Sequence, residues 1–166
     1  MRSTPEMAAL TWNDALALQQ PRMDDTHREF VDLLNAVEVA LQGESLPLEQ
    51  ALDRFVQHTE AHFAQEDDWM RRVGFAAQNC HSLQHAQVLE LVREVHRRLR
   101  DEADVEVVHA LVPALAEWFP MHAQSMDAGL VQSMQEAGFD PETGALQHPL
   151  PAEAEALAGC GSGRGG

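Results

Sequence analysis

The sequence predicts an all-α fold, an antiparallel up-down-up-down four-helix bundle with an irregular N-terminal arm. Three observations lead there. Apolar residues recur in steps of three and four over four separate stretches, the period of a helix with one buried face. Three connections between these stretches are shorter than about ten residues, which makes neighbouring helices antiparallel. Aromatic residues are only 5% of the chain and tyrosine is absent, while 45% is apolar; this suits helices rich in Ala, Leu and Val better than a β-sandwich. A chain of 166 residues fits one domain with a real core.

Residues 1–22 read as an arm, with Pro5 and Pro21 as breakers and Trp12 packing it onto the bundle. The helical domain is expected over 23–138. Asp24 or Asp25 offers an N-cap for the first helix. Phe30, Leu33, Leu34, Val37 and Leu41 form its stripe, and Gly43 stops it. His27 lies one turn before Phe30 and points to the same face. The second helix starts near Pro47 and ends at Gly74, with Leu48, Leu52, Phe55, Thr59, His62, Glu66, Trp69 and Val73 as its stripe. The third follows Asn79, a good cap. Its inward stripe is His81, His85, Val88, Val92, Val95 and Leu99, and Glu90, Arg93, Arg97 and Arg100 face solvent. The fourth runs from about Val105 to Gln135 through Leu111, Leu115, Trp118 and His122; Pro113 and Pro120 should kink or split it. Gly138 and Pro141 close it. A mobile tail is expected over 139–166, rich in Gly, Ala and Pro from about Gly144.

His27, His62, His81, His85 and His122 fall on or beside these inward stripes, together with Glu66 and Asp127. One histidine on an apolar stripe is ordinarily a hydrogen-bonded core residue. Glu66 is harder to explain that way. A buried carboxylate costs several kcal/mol unless paired, and no Lys or Arg shares its stripe. A cation that takes the whole set as ligands removes the problem. His62/Glu66 and His81/His85 are i,i+4 pairs, each projecting from one face roughly 6 Å apart. Five imidazoles and two carboxylates exceed the four ligands of one structural zinc. They suit two octahedral first-row ions bridged by the carboxylates: iron, with manganese or zinc as alternatives. One spacing resists. His122 and Asp127 are five apart, or about 140° around a regular helix. A local widening of the helix brings them together, or Asp127 reaches across; the widening is the expectation here.

DDTHREF, HFAQE, HSLQH and the segment from His122 to Asp127, taken in order, resemble the bacterial hemerythrin family over roughly residues 10–135. The resemblance implies a centre of two iron ions. His81, His85 and His122 bind one. His27 and His62 bind the other, which keeps an open position for molecular oxygen. Glu66 and Asp127 bridge the pair together with an oxo or hydroxo ligand. The chain departs from the family in two places. Asp67 stands at the last position of the usual HFxxEE, facing about 100° from Glu66, and is left out of the ligand set. LALQQPRMDD replaces the usual apolar run before the first ligand, which affects the shape of the arm. Neutral imidazoles dominate, where ferritin-like oxidases use more glutamates; this favours reversible oxygen binding by a carrier, store or sensor. The alternative is a di-iron enzyme on the same site, with peroxidase, nitric-oxide or iron-handling activity. Phe30, Val31, Phe63, Trp118 and Phe119 are candidates for the dry wall of an oxygen pocket, or plain core.

Eleven basic against twenty-seven acidic residues give a net charge of −16, which argues against nucleic acid or an anionic membrane as partner. There is no signal-like start and no stretch near the roughly 20 apolar residues of a membrane span, so a cytoplasmic protein is expected. A sensor would need a separate protein partner. Cys80 and Cys160 are expected as reduced thiols, with Cys80 beside His81 a candidate oxidation sensor on adjacency alone. His58 is expected outside the ligand set, His96, His109 and His148 at the surface, and Met121, Met126 and Met134 as core filler.

Overall fold

The computed structural model describes residues 8–43 and 47–148. The expectations for Pro5, Cys160 and the chain beyond residue 148 lie outside the described residues. The protein is an all-α, antiparallel four-helix bundle. Its helices are α1 (Pro21–Leu41), α2 (Leu48–Arg72), α3 (Cys80–Glu102) and α4 (Val105–His122), the last continued through a π-turn (Ala123–Asp127) into α5 (Ala128–Ala137). Each helix packs on the next, and α1 also meets α4 to close the ring. No described helix is long and apolar enough to cross a membrane.

α1 begins earlier than its acidic pair suggests. Pro21 opens the helix, where its missing N–H costs nothing. The Gln20 side chain accepts from Met23 N–H at 2.7 Å and so takes the capping role expected of Asp24 or Asp25. Asp24 is buried instead and accepts from Leu18 N–H at 2.8 Å, tying the arm to the helix. Leu10 and Asn35 exchange two hydrogen bonds of 3.1 and 2.7 Å. Trp12 packs against the core under the Arg28 guanidinium, 4.8 Å from its ring centre. The arm is therefore fastened at three points.

The ends of the other helices follow their sequence signals. Gly74 and Gly138 take left-handed φ values, and the next residues, Phe75 and Phe139, donate back to Met70 and Met134. Each is a glycine-capped end with a buried aromatic just beyond it. α3 begins with a capping box: the Asn79 side chain accepts from Ser82 N–H, and the Ser82 hydroxyl accepts from Asn79 N–H. Of the expected tail, residues 139–148 turn back on the bundle through a Phe139–Leu146 bridge, because Phe139 has an apolar place to fill.

The fourth helix does not split at its prolines. It passes Pro113 and Pro120 and widens afterwards, where Ala128 N–H donates to Ala123 O across five residues. Ser125 Oγ donates to Met121 O at 2.6 Å, inserting a side chain into the backbone ladder at this point. The extra residue shifts the buried phase by one. Leu115, Phe119 and Ala123 are buried before it, and Asp127, Leu130, Val131 and Met134 after it. Met134 is core, as expected, whereas Met121 is 68% exposed, which corrects its assignment as filler; it projects from the outer face just before the π-turn. Cys80 is disulfide-bonded, which corrects the expectation of a reduced thiol. That expectation rested on there being too few cysteines for a framework, which does not exclude a single bridge.

Two apolar clusters fill the interior. The larger runs from Leu16 and Phe30 through Phe55, Val92 and Leu111 to Ala123. The smaller holds Met23, Trp69, Met70, Phe75, Leu130 and Phe139. Between them, α1 to α4 and the π-turn direct polar side chains inward. Asn79 is the N-cap of the helix that starts with His81 and His85. Asn79→Ala should therefore lower stability to chemical denaturation by about 1 kcal/mol, measured on the metal-free protein.

Candidate metal centre

The polar layer is built from the ends and middles of helices that the two clusters hold in place. α1 supplies His27, between Met23 and Phe30. α2 supplies His62 and Glu66. The first turns of α3 supply His81 and His85. The end of α4 supplies His122, and the π-turn supplies Asp127. All seven are buried. The widened turn brings His122 Nε2 to 3.2 Å from Asp127 Oδ1, so both face the centre.

The two carboxylates divide their oxygens between two sets of imidazoles. Glu66 Oε1 lies 2.7 Å from His62 Nε2 and 3.5 Å from His27 Nε2. Glu66 Oε2 lies 3.2 Å from His85 Nε2 and 3.5 Å from His81 Nε2. Asp127 Oδ2 lies 3.1 Å from His27 Nε2, while Oδ1 lies 2.9 Å from His81 and 3.2 Å from His122. The ligand atoms form two groups, Glu66–His81–His85–His122–Asp127 and His27–His62–Glu66, each with all its atoms within 4.8 Å of one another. Glu66 belongs to both.

Closeness here is not pairing. Among the described residues, both Asp127 oxygens, Glu66 Oε2 and the Nε2 atoms of His27 and His81 have no hydrogen bond of acceptable geometry. Buried polar atoms are rarely left so, because each costs about 1–3 kcal/mol. Aimed at common points, these atoms are what cations coordinate. The donor set of imidazole nitrogen and carboxylate oxygen suits first-row metal ions.

Without a metal, protons take part of that role. Burial alone pushes His27 down, but the carboxylates of Asp127 and Glu66 outweigh it and hold His27 at about 10. His81 is balanced in the same way and sits at about 9. His85 is lowered by burial and raised further by Asp67 and Glu66, for a net rise. Burial lowers His122. Glu66 and Asp127 lie well below the carboxylate range although burial opposes it; for Asp127 the Glu66 charge opposes it too, and the imidazoles prevail.

The aromatic residues divide. Phe119 meets His27 edge-on with centroids 5.1 Å apart, and Phe30 stacks on Phe119 and approaches His62 at 6.2 Å. Phe63 stacks on His85 and Trp118 on His122. Val31 is buried in the larger cluster. His58 turns outward to Glu29 at 3.0 Å and joins neither group. Sequence reasoning passed over two contacts. Asp67 Oδ1 lies 2.8 Å from His85 Nδ1, and Gln84 Oε1 lies 2.8 Å from His122 Nδ1. The available signal was chemical: a ligating histidine needs a partner for its other nitrogen.

Fold and site together define a four-helix-bundle protein with a buried histidine–carboxylate centre able to hold metal. The family model described as "Hemerythrin HHE cation binding domain" matches residues 20–132. A bacteriohemerythrin of Ralstonia nicotianae is 39% identical over 134 residues, covering 81% of this chain and 95% of that protein. One of Pseudomonas paraeruginosa is 29% identical over 130 residues, covering 78% and 84%, and one of Methylococcus capsulatus 22% identical over 123 residues, covering 73% and 93%. The chain belongs to the hemerythrin family.

The proton-filled site sets a pH dependence. His27 and His81 rise on folding from 6.5 to about 10 and about 9. Their contribution to stability is complete below 6.5 and is lost as pH rises through those values. The depressed Glu66 and Asp127 contribute above their unfolded values of 4.5 and 3.8. The metal-free protein should thus lose thermal stability between pH 6.5 and 10. Metal ions need the deprotonated imidazoles, so the rise in melting temperature on loading should grow over the same interval. Melts of both forms at pH 6.5 and 9 check the sign.

Proposed function

We propose that this chain is a non-haem di-iron protein that binds molecular oxygen reversibly, as carrier, store or sensor. One observation carries the reading: each of Glu66 and Asp127 presents one oxygen to a three-histidine group and the other to a two-histidine group. That is the disposition of bridging carboxylates between two ions. His81, His85 and His122 would hold the first; His27 and His62 would hold the second, with one fewer protein ligand and so room for a small molecule.

The iron pair, when bound, supplies the electrons that oxygen takes up. The chain does the rest. Five neutral imidazoles keep the total ligand charge low, which favours reversible uptake over bond cleavage. Phe30 and Phe119, against the two-histidine side, exclude water from the open position. Phe63 also reaches this side, 5.2 Å from His62, whereas Trp118 stacks on His122 of the other group and Val31 packs in the larger apolar cluster. Bacteriohemerythrin is the name borne by the relatives, and the function proposed here follows that name. A cytoplasmic location is part of the proposal.

Anaerobic reconstitution tests the reading. The protein should take up two ferrous ions per chain, measured by elemental analysis. Adding oxygen should produce a visible charge-transfer band that disappears on degassing and returns on re-exposure. Asp127→Ala should lower the stoichiometry and abolish the band. Immediate irreversible oxidation with consumption of peroxide would move the assignment to an enzyme; failure to bind any transition metal would remove the metal reading altogether.

A further inference from the structure

The five central imidazoles differ in what holds their outer nitrogens. Nδ1 of His27, His62 and His81 has no partner among the described residues. Nδ1 of His85 lies 2.8 Å from Asp67 Oδ1, and Nδ1 of His122 lies 2.8 Å from Gln84 Oε1. These acceptor oxygens place the ring hydrogen on Nδ1 and leave the lone pair on Nε2, which faces the centre. The same two rings are also gripped on their faces. Phe63 lies parallel to His85 with centroids 4.0 Å apart and planes 5° off. Trp118 stacks on His122 at 4.4 Å and 24°. His27 has an edge contact with Phe119 and a tilted one with His62, and His62 has only tilted or edge-on ring neighbours.

Both clamped rings belong to the three-histidine group. A ring held at one nitrogen and across one face loses little freedom when its other nitrogen takes a ligand. A carboxylate on Nδ1 also makes that imidazole a stronger donor. We infer that Asp67 and Gln84 are positioning residues that pre-set His85 and His122, making the His81–His85–His122 position the one a metal ion fills first and releases last. The inference rests on the metal reading above and adds an order of filling to it. Asp67 is 46% exposed and lies with His85 in a surface groove between α2 and α3, so its side chain is not part of the apolar core.

Cobalt(II) titration of the metal-free protein tests this, followed by visible absorption and by competition with a chelator of known affinity. The unsubstituted chain should bind two ions in distinguishable steps. His27→Ala should remove the weaker step and so assign it to the two-histidine side. Asp67→Ala and Gln84→Ala should each weaken the tighter step by about 10–100-fold and change the cobalt spectrum of that step, leaving the weaker one in place. Asp67→Asn, which keeps an acceptor oxygen but not the charge, should recover part of the loss. The metal-free Asp67 and Gln84 variants should stay folded, with melting temperatures lowered by only the few degrees that one lost hydrogen bond costs. If two ions bind and neither variant changes the tighter step, the positioning roles are wrong while the metal reading stands. If both steps fall together with the metal-free melting temperature, Asp67 and Gln84 serve the fold alone and the inference is again overturned. If the unsubstituted chain binds no cobalt or iron, it is the metal reading that fails.

Discussion

Two ionised carboxylates buried among five imidazoles are the constraint around which this bundle is organised. A carboxylate taken out of water costs several kcal/mol, and among the described residues no arginine enters the layer to offset it. Neutralisation has to come from protons on the histidines or from metal ions at the same atoms. The apolar clusters above and below the layer supply the hydrophobic stabilisation that a polar mid-section withholds. They also keep water out, so the choice between proton and metal is made in a poorly screened interior.

Each helix meets this demand by a different local device. The capping box at Asn79 starts α3 where its first two turns carry His81 and His85 inward. On α2 regular helical spacing suffices for His62 and Glu66. The fourth helix needs an irregularity, because regular spacing rotates Asp127 away from His122, and the π-turn restores the face at the expense of an ideal ladder. Irregular helical turns are often found at functional sites for this reason.

Much of this was visible in the chain itself. Polar residues on otherwise apolar stripes marked the site, since the stripe for α2 fails only at Thr59, His62 and Glu66. The conflict between His122 and Asp127 pointed to a widened helix. Its downstream effect was not visible: the one-residue change of phase that puts Asp127 and Leu130 inside follows from where the ladder opens, which periodicity cannot locate. Pro21 was read as a breaker because a proline both ends and begins helices; the buried Asp24 and the capping Gln20 decide between the two. Asp67 was set aside by rotating it around its own helix. Its contact with His85 depends on how closely α2 and α3 approach, which is a property of packing.

The sharing of Glu66 between the two groups has a thermodynamic consequence. One side chain is a member of both positions, so neither has an affinity of its own. Whatever an ion at one position does to that carboxylate alters the free energy of the ion at the other, and the effect is returned in equal measure. Ions held at the two positions would therefore form one coupled unit, and the bundle around Glu66 would keep its occupancy states in a single geometry.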